Sequence, residues 1–453
     1  MSNNPRTALA VAGLSLGTAL NPLNSSMIAV ALVVLRADFG LDVAAVTWVV
    51  TSFYLASAAG QPVMGRLADR FGPRRMFMLG MALVAVTCAL APFAPNFALL
   101  CVARAVMALG TATAYPSAVV MVGAIAHRAG MEPARPLGRL QMANTSAAAV
   151  GPVVGGLLVS LVGWEALFLV NVPLALAALL IVRRAAPPDE ARERGSVVEL
   201  LRDSDIPGIL AFVAALMLVM MAALNVLPGY RWWMLGAGTA IGALFAWREL
   251  RFNRPFLDLR LLGRNRPLML VYLAFAVFSS VYYFVFFGLP QLLQEAGGYD
   301  PGVVGLLMLP LAAMSVAATP WAVKAMGRFG VRRVLLAGVV LLTAVAGLMW
   351  LLAGTLAIPL VVVMTALMGV PYGTVGIASN QGMFVSVRPQ ERGVAAGIYQ
   401  TCRYVGAITA TVMIGVFAAG GVDQKSWGRM VLAMLVLCVV TFGVSLLWRQ
   451  REA

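Results

Sequence analysis

The chain has 453 residues, of which 61% are hydrophobic and 11% charged, and its mean hydropathy is +0.89. This composition excludes a string of water-soluble domains and indicates a polytopic membrane protein. The formal net charge of +15 would suggest nucleic acid binding in a soluble protein. Here the cations cluster in the breaks between apolar segments, so no nucleic-acid partner is expected.

Few residues are available for catalysis or metal binding. The chain has one histidine and four cysteines, and each cysteine lies inside an apolar stretch, so neither a disulfide framework nor a zinc site is expected. The sequence contains no Gly-rich phosphate-binding loop, which argues against ATP as the direct energy source. No pair of carboxylates falls inside an apolar segment. The sequence therefore predicts neither an enzyme nor a cofactor.

Fourteen apolar segments are long enough to cross a bilayer as helices, which takes roughly 20 residues each. Polar or turn-forming residues separate them. The first segment is long and is interpreted as a retained span rather than a cleaved leader. The fourteen predicted spans are 8–34, 44–64, 76–93, 97–124, 139–161, 165–183, 207–226, 231–248, 268–290, 302–323, 333–353, 357–385, 393–419 and 427–448.

The lysines and arginines are distributed unequally between the two sides of these spans. Loops on the N-terminal side, together with both tails, hold 27 of the 33. Because cytoplasmic loops are enriched in Lys and Arg, this distribution predicts that both termini are cytoplasmic. The preference for arginine over lysine, with abundant alanine and glycine, favours a bacterial source. The predicted location is the bacterial inner membrane.

The chain contains an internal repeat. Residues 71–75 (FGPRR) recur as residues 329–333 (FGVRR), an offset of 258 positions from 71 to 329. Two related halves of six spans explain this repeat, with spans seven and eight inserted between them. The predicted parts are an N-terminal six-helix half at 1–183, a cytoplasmic connector at 184–206, an inserted helix pair at 207–248, a cytoplasmic amphipathic linker at 249–267 and a C-terminal six-helix half at 268–453.

A charged segment at residues 65–75 (GRLADRFGPRR) joins the second and third predicted spans. It is predicted to be a hairpin turn of about ten residues, in which a glycine bends the backbone and a proline stops the preceding helix. The segment resembles the loop signature of the major facilitator superfamily, GxLADRxGxRR, at every fixed position. The resemblance implies a membrane transporter in which this hairpin locks one conformation through Gly65, Asp69, Arg70, Gly72, Arg74 and Arg75.

The fifth predicted span contains GPVVGG at residues 151–156. Small residues let helices approach closely in lipid, and a proline bends a helix. The segment is similar to the antiporter motif of the drug:proton exporters, GxxxGPxxGG, with Ala147 in place of the first glycine. The resemblance assigns this motif to Gly151, Pro152, Gly155 and Gly156.

Three further segments extend the resemblance over nearly the whole chain. Residues 163–173 (GWEALFLVNVP) resemble the span-six entrance of the same group, with Glu165 and Ala166 replacing the usual Arg and Trp. Residues 257–260 (LDLR) and 289–294 (LPQLLQ) resemble its fourteen-span branch. This likeness implies an all-α major facilitator fold, with two six-helix halves plus an inserted pair and fourteen transmembrane helices in all.

Arg104 lies within the fourth predicted span and aligns with the span-four arginine of the family. Because a guanidinium is costly in lipid, it is expected to face the bundle interior or a water-filled cavity. The alternative is a buried structural arginine held by carbonyl groups. Each polar cavity candidate likewise has the alternative of a plain interhelical hydrogen bond. The predicted coupling or substrate cavity comprises Asn24, Tyr54, Arg104, Asn144, Tyr283, Asn380 and Arg403.

The sequence offers no acid inside a span to carry a coupling proton. All eighteen acids fall in loops, tails or span ends, and Asn24 stands where the resemblance implies an aspartate. The two arginines within spans cannot substitute, because guanidinium does not deprotonate usefully. Three explanations stay open: Asp38, Asp42 or Glu165 takes the proton, the substrate itself carries the charge, or transport is uncoupled.

The leading prediction is a secondary active exporter of small amphipathic molecules, such as drugs or secondary metabolites, driven by the proton gradient. Its expected partners are a small-molecule substrate and the lipid bilayer, and it is expected to be a monomer. The alternatives are an organic-anion exchanger or importer, a lipid translocator of the same fold, and a non-transporting membrane sensor. Two arginines without an acid inside a span favour an anionic or neutral substrate over a lipophilic cation.

Overall fold

The helices of this protein are seen in a computed structural model, in which every regular element of the described residues is an α-helix or a short 3₁₀ helix. Eleven of these helices are long and apolar enough to cross a membrane, or twelve if the bent first pair forms one span. The predicted all-α polytopic architecture is therefore confirmed, whereas the exact number of fourteen spans is not established. The described residues are 5–128, 134–189, 205–227, 229–252, 259–388 and 392–448.

Nineteen α-helices are present in the described ranges, with 3₁₀ turns at Ile28–Val30, Ala91–Phe93 and Met349–Ala353. In chain order they are α1 (Pro5–Met27), α2 (Leu32–Asp38), α3 (Val43–Val46), α4 (Trp48–Phe71), α5 (Pro73–Leu90), α6 (Phe97–Ala112), α7 (Ala114–Arg128), α8 (Ala134–Leu161), α9 (Ala166–Leu169), α10 (Asn171–Ala185), α11 (Ile206–Ala223), α12 (Arg231–Glu249), α13 (Leu259–Arg264), α14 (Arg266–Glu295), α15 (Pro301–Phe329), α16 (Val331–Leu348), α17 (Ile358–Val385), α18 (Arg392–Phe417) and α19 (Gln424–Leu447).

All fourteen predicted spans fall on helices, but two of those helices are not among the ones that are long and apolar enough to cross a membrane. Predicted span eight is α12 and predicted span thirteen is α18. Charged residues lie at both ends of α12, and α18 carries Arg403 in its interior. Much of the predicted connector at 184–206 and of the amphipathic linker at 249–267 lies outside the described residues.

The contacts divide the chain into two compact units. The first comprises Met1–Val34 and Trp48–Ser204, and the second comprises Leu35–Thr47 and Asp205–Ala453. The chain therefore leaves the first unit at the end of the first predicted span and returns to it at the start of α4. Within the first unit α1 packs chiefly on α8 and α10, and within the second α15 and α16 both pack on α17.

The first predicted span, 8–34, is broken rather than straight. α1 ends at Met27, a 3₁₀ turn follows, and α2 leaves at an angle of 63° to the preceding segment. Gly155 of α8 lies so close to this point that a Cβ on it would be 2.7 Å from the Met27 carbonyl oxygen. Hydropathy predicted an unbroken span because the residues of the turn are as apolar as those of the helices around it.

Two other predicted spans are interrupted at prolines. The fourth breaks at Thr113 between α6 and α7, and Pro116 follows in the first turn of α7. The sixth breaks between α9 and α10, and Pro173 lies in the first turn of α10. The N–H groups in the first turn of a helix have no partner within that helix, so a proline without an N–H is tolerated there.

The charged segment at 65–75 is mostly helical, so its prediction as a turn of about ten residues is wrong. α4 continues to Phe71 and α5 begins at Pro73, which leaves Gly72 as the connecting residue. Its φ of +98° is disfavoured for a residue with a Cβ. Gly330 makes the same connection between α15 and α16 with φ of +84°. The two copies of the sequence repeat therefore have the same local structure.

Candidate functional site

The junction of α4 and α5 is held by an acid from a distant part of the first unit. Gly72 is the N-cap residue of α5 and has no side chain with which to accept from the first turn. The Asp189 carboxylate supplies the acceptors: Oδ1 accepts the backbone N–H of Arg74 at 2.9 Å, and Oδ2 accepts that of Arg75 at 3.0 Å. A helix start has unpaired N–H groups and partial positive charge, so a carboxylate stabilises it.

A second contact joins the same two parts of the first unit. Nη2 of Arg74 donates to the carbonyl oxygen of Arg183, in the last turn of α10, at 2.5 Å. A Cβ on Gly72 would collide with the Asp189 carboxylate, so glycine is required for clearance as well as for its φ angle. We call Gly72, Arg74, Arg183 and Asp189 the clasp.

Other residues of the 65–75 signature lie outside the clasp. Asp69 and the side chain of Arg75 are exposed, whereas Gly65 and Arg70 are half-buried. Sequence reasoning missed Asp189, which falls in the predicted connector. No local sequence pattern identifies it, because Asp189 lies 115 positions after Arg74, whose N–H it accepts.

Arg104 lies on α6 and is 2% exposed. Its Nε donates to the Val49 carbonyl oxygen of α4 at 3.3 Å, and its Cζ lies 4.6 Å from the centre of the Phe53 ring. Nη2 is buried and has no hydrogen-bond partner among the described residues. The guanidinium is thus held by a carbonyl at Nε and by the Phe53 ring at Cζ, while the buried donor Nη2, next to Nε, stays available to an acceptor.

Asn24 on α1 and Asn171 on α10 form a closed amide pair. Nδ2 of Asn24 donates to Oδ1 of Asn171 at 2.7 Å, and Nδ2 of Asn171 donates to Oδ1 of Asn24 at 2.8 Å. Each Nδ2 also donates to the carbonyl four residues earlier, Leu20 or Leu167. Both side chains are buried. A ligand role for Asn24 remains a prediction, and such a role requires the ligand to compete with this pair.

The antiporter-like segment lies on α8 where that helix contacts α1. A Cβ on Gly151 would collide with the Ser26 hydroxyl group, and Gly155 touches the backbone of Met27. Pro152 lies inside the helix, and Pro152 and Gly156 are both buried. The small residues of this segment therefore allow two helices to meet backbone to backbone at the bend of the first span.

The remaining cavity candidates of the first unit are Tyr54 and Asn144. Tyr54 is 2% exposed on α4, and its ring lies edge-on to Phe53 with 5.7 Å between the ring centres, beside Arg104. Asn144 on α8 is half-buried, and its Oδ1 has no hydrogen-bond partner among the described residues. Arg104, Tyr54 and Phe53 form one local group, which the sequence predicted only in part.

In the second unit, Tyr283 belongs to an aromatic cluster on α14. Its ring lies 4.9 Å from that of Tyr282 and stacks on Phe287 at 5.6 Å. Arg403 on α18 is half-buried, with its Cζ 5.9 Å from the Tyr404 ring centre, and Asn380 on α17 is half-buried. The seven predicted cavity residues therefore divide into four in the first unit and three in the second.

A buried charged group joins α11 and α12 and was missed by sequence reasoning. Asp205, the N-cap residue of α11, accepts the Gly208 N–H at 3.1 Å and pairs with Nη1 of Arg248 at 2.7 Å. Glu249, on the last turn of α12, is fully buried beside it. A Cβ on Gly208 would lie 2.6 Å from Oε1 of Glu249 and would also collide with Asp205. Both acids lie at helix ends, as the sequence indicated, but they are not solvent-exposed.

Glu295 at the end of α14 connects two other parts of the second unit. Its Oε1 lies 2.8 Å from Nη1 of Arg36 on α2, and its Oε2 accepts the Val422 N–H at 2.9 Å. Of the acids suggested as proton carriers, Asp42 is exposed and caps α3 through the Ala45 N–H at 2.6 Å, and Glu165 is half-buried. A proton-carrying role for either remains a prediction.

Comparisons with known proteins bear on the whole chain. Residues 14–411 match the family described as Major Facilitator Superfamily. The uncharacterised MFS-type transporter YwoD of Bacillus subtilis is 33% identical over 456 residues, covering 100% of this chain and 98% of YwoD. The multidrug efflux pump LfrA of Mycolicibacterium smegmatis is 30% identical over 416 residues, covering 90% and 80% respectively.

A solved structure shares the fold. It is a bacterial homologue of the human lysosomal transporter Spinster, in an inward-facing and unoccupied conformation. It aligns with a TM-score of 0.69 at 15% sequence identity, over 99% of this chain and 98% of that chain.

Proposed function

Because the chain belongs to the major facilitator superfamily, and its relatives are transporters rather than enzymes, we propose that this multi-pass membrane transporter exports small amphipathic molecules. Drugs or secondary metabolites are the substrate class, alternating access is the mechanism, and the proton gradient is the driving force. The efflux activity named for LfrA and the antiporter-like segment at 151–156 support export over import.

The observation that carries this proposal is the burial of the Arg104 guanidinium with its Nη2 unpaired among the described residues. Burying a guanidinium in a membrane span is costly, and such residues mark substrate or ion pathways. The Val49 carbonyl accepts from Nε and the Phe53 ring lies over Cζ, and the buried Nη2 has no partner among the described residues. A substrate oxygen or a water molecule is the natural acceptor for that nitrogen. This chemistry favours anionic or neutral amphipathic substrates over lipophilic cations.

We further propose the complete architecture that this function requires. Fourteen spans form two six-helix halves, with α11 and α12 as the inserted pair, and the protein works as a monomer in the bacterial inner membrane. Both termini are cytoplasmic in this arrangement, in accordance with the distribution of lysine and arginine. The clasp then lies at the cytoplasmic ends of α5 and α10, where it supports the signature at 65–75 in its gating role.

The test is substrate flux in proteoliposomes that contain the purified full-length protein, with and without an imposed pH gradient. The probes are a fluorescent amphipathic anion, carboxyfluorescein, and a fluorescent amphipathic cation, ethidium. The proposal expects transport of the anion, accelerated by the gradient. Transport of ethidium alone would contradict the assigned substrate class, and transport insensitive to the gradient would contradict proton coupling.

One alternative keeps a specific observation in its favour. Organic-anion exchange without proton coupling fits the two arginines within predicted spans, Arg104 and Arg403, and the absence of an acid inside any predicted span. In the same proteoliposomes this mechanism requires an anion on the opposite side for each anion moved. Stimulation by trapped anion, rather than by the pH gradient, would identify it.

A further inference from the structure

A groove of about 610 Å³ runs along the surface of the second unit between α15, α16 and α17. α15 and α16 follow each other in the chain, yet each packs chiefly on α17 and they contact one another little. Gly369 and Gly373 bring the backbone of α17 against the backbone of α15. The groove is the wedge left between α15 and α16, with α17 as its floor.

Small side chains create the depth of this groove. Ala322, Ala325 and Ala337 line it, whereas the repeat offset of 258 residues places Met64, Leu67 and Leu79 at the equivalent positions of the first half. The glycines at positions 80 and 338 obey the same offset, which supports the alignment. Three large side chains of one half are therefore alanines in the other, and their removal leaves room for an apolar guest.

The rim of the groove is apolar and open. Trp321 is 76% exposed, Phe329 51% and Leu341 39%. α15 and α16 are among the helices that are long and apolar enough to cross a membrane. Large apolar side chains exposed on such helices are suited to contact with lipid. From Met314 to Phe329 the groove follows sixteen residues of α15. Their length is about 22 Å at the helical rise, which exceeds the roughly 15 Å of one leaflet.

One end of the groove is cationic. Arg333 lines it there, in the first turn of α16, and is exposed without a hydrogen bond or ion pair to any described residue. The neighbouring Arg332 binds the end of α19 and the residue after it. Its Nε donates to the Trp448 carbonyl at 2.8 Å and its Nη2 donates to the Leu446 carbonyl at 3.0 Å. Lys324 and Arg328, on the last turns of α15, are exposed beside this end.

We propose that this groove binds an anionic phospholipid, with one acyl chain along the alanines and the headgroup phosphate at Arg333. Charge complementarity selects the headgroup, because each cation near an anionic lipid surface strengthens attraction by about fivefold. The open apolar rim favours a lipid chain, which can enter the groove directly from the membrane. The site is independent of the transported substrate and of the direction of transport.

The test is native mass spectrometry of the full-length protein purified in detergent and titrated with phosphatidylglycerol or phosphatidylethanolamine. The wild type is expected to bind one phosphatidylglycerol more tightly than phosphatidylethanolamine. The variant Ala325→Leu/Ala337→Leu restores the side chains of the other half and is expected to weaken binding of both lipids at least tenfold. Arg333→Gln is expected to remove about fivefold of the preference for phosphatidylglycerol.

Matched controls separate the groove from general surface effects. Ala240→Leu adds the same side chain at an exposed position of α12, and Arg231→Gln removes an exposed arginine at the start of that helix. Both are expected to bind lipid as the wild type does. Unchanged phosphatidylglycerol binding in the groove-filling variant overturns the proposal. So does equal binding of the two lipids by the wild type, because the headgroup assignment then fails.

A second measurement avoids dependence on the folding of the double variant. In nanodiscs that contain phosphatidylglycerol with brominated acyl chains, a lipid in the groove quenches the fluorescence of Trp321. Wild type and Trp321→Phe are compared in brominated and unbrominated discs, and Arg333→Gln provides the site variant. The proposal expects that brominated lipid lowers the fluorescence of the wild type. Trp321→Phe should remove this loss of fluorescence, and Arg333→Gln should make it smaller. The proposal is overturned if brominated lipid does not quench Trp321 fluorescence. It is also overturned if Arg333→Gln shows the same quenching as the wild type.

Discussion

Oδ1 of Asp189 lies 2.9 Å from the backbone nitrogen of Arg74, although the two residues are 115 positions apart in the chain. The first turn of α5 is therefore stabilised by the segment that follows α10. Asp189 therefore contacts the 65–75 signature although it is not one of the signature residues. Any motion that separates the end of α10 from the start of α5 has to break this cap.

We expect Asp189→Ala to destabilise the protein by about 1 kcal/mol, the usual cost of losing an N-cap, and to slow transport. Thermal unfolding and proteoliposome flux measure the two effects. Asp423→Ala is the control, because Asp423 caps α19 through the Ser426 N–H at 2.7 Å and belongs to the second unit, whereas the signature belongs to the first. A comparable stability loss with normal flux is expected there. Equal flux in both variants would remove the clasp from the gating mechanism.

The sequence predicted helices and their approximate positions well, because each span is a long apolar run. It did not predict the internal breaks. The 3₁₀ turn after Met27 consists of apolar residues, and the helix through Asp69 is too charged to be recognised as an extension of a span. Pro116 and Pro173 follow breaks, but Pro152 lies inside α8, so the position of a proline alone does not identify a break.

The candidate site was predictable in its residue types but not in its partners. A buried guanidinium at Arg104 follows from its place in an apolar segment. That Asn24 pairs with Asn171, or that Asp189 caps α5, depends on helix packing between positions more than a hundred residues apart. Such partners are set by tertiary contacts that no local pattern encodes.

The paired amides of Asn24 and Asn171 are expected to be strongly coupled. Asn24→Ala or Asn171→Ala leaves one buried amide without its partner, which costs about 1–3 kcal/mol. The double variant Asn24→Ala/Asn171→Ala should cost clearly less than the sum of the two singles. Thermal unfolding of all four proteins gives the coupling energy, expected at about 0.5–3 kcal/mol. Additive losses would show that the pair makes no joint contribution to stability.

Arg104→Gln is expected to lower substrate flux by about tenfold or more, since it removes the charge and the free donor in the span. Arg104→Lys should recover part of the flux at most, because an ammonium lacks the planar fork that reaches the Val49 carbonyl and a second acceptor together. Flux is compared at equal amounts of reconstituted protein. Arg231→Gln, which removes an exposed arginine, is the control, and its flux should equal that of the wild type. An unaltered rate in Arg104→Gln would contradict the proposed function.

Gly208→Ala tests the buried charges that join α11 and α12. The new methyl group would enter the space between Asp205 and Glu249, 2.6 Å from Oε1 of the latter. Both carboxylates have to move, because the methyl group would be too close to each of them. Movement of Asp205 weakens its hydrogen bond from the Gly208 N–H and its ion pair with Arg248. Disruption of a buried ion pair and overpacking both destabilise, so we expect a loss of about 2 kcal/mol or more.

Gly236→Ala on α12 is the matched control for Gly208→Ala, because a Cβ there meets nothing within 4 Å. Alanine is favoured over glycine inside a helix, so this variant should be as stable as the wild type or slightly more stable. Thermal unfolding of both variants in the same detergent gives the comparison. If Gly208→Ala matched Gly236→Ala, the two acids would have room to separate at little cost. The contact between α11 and α12 would then rest on apolar packing, with the Asp205–Arg248 ion pair contributing little to it.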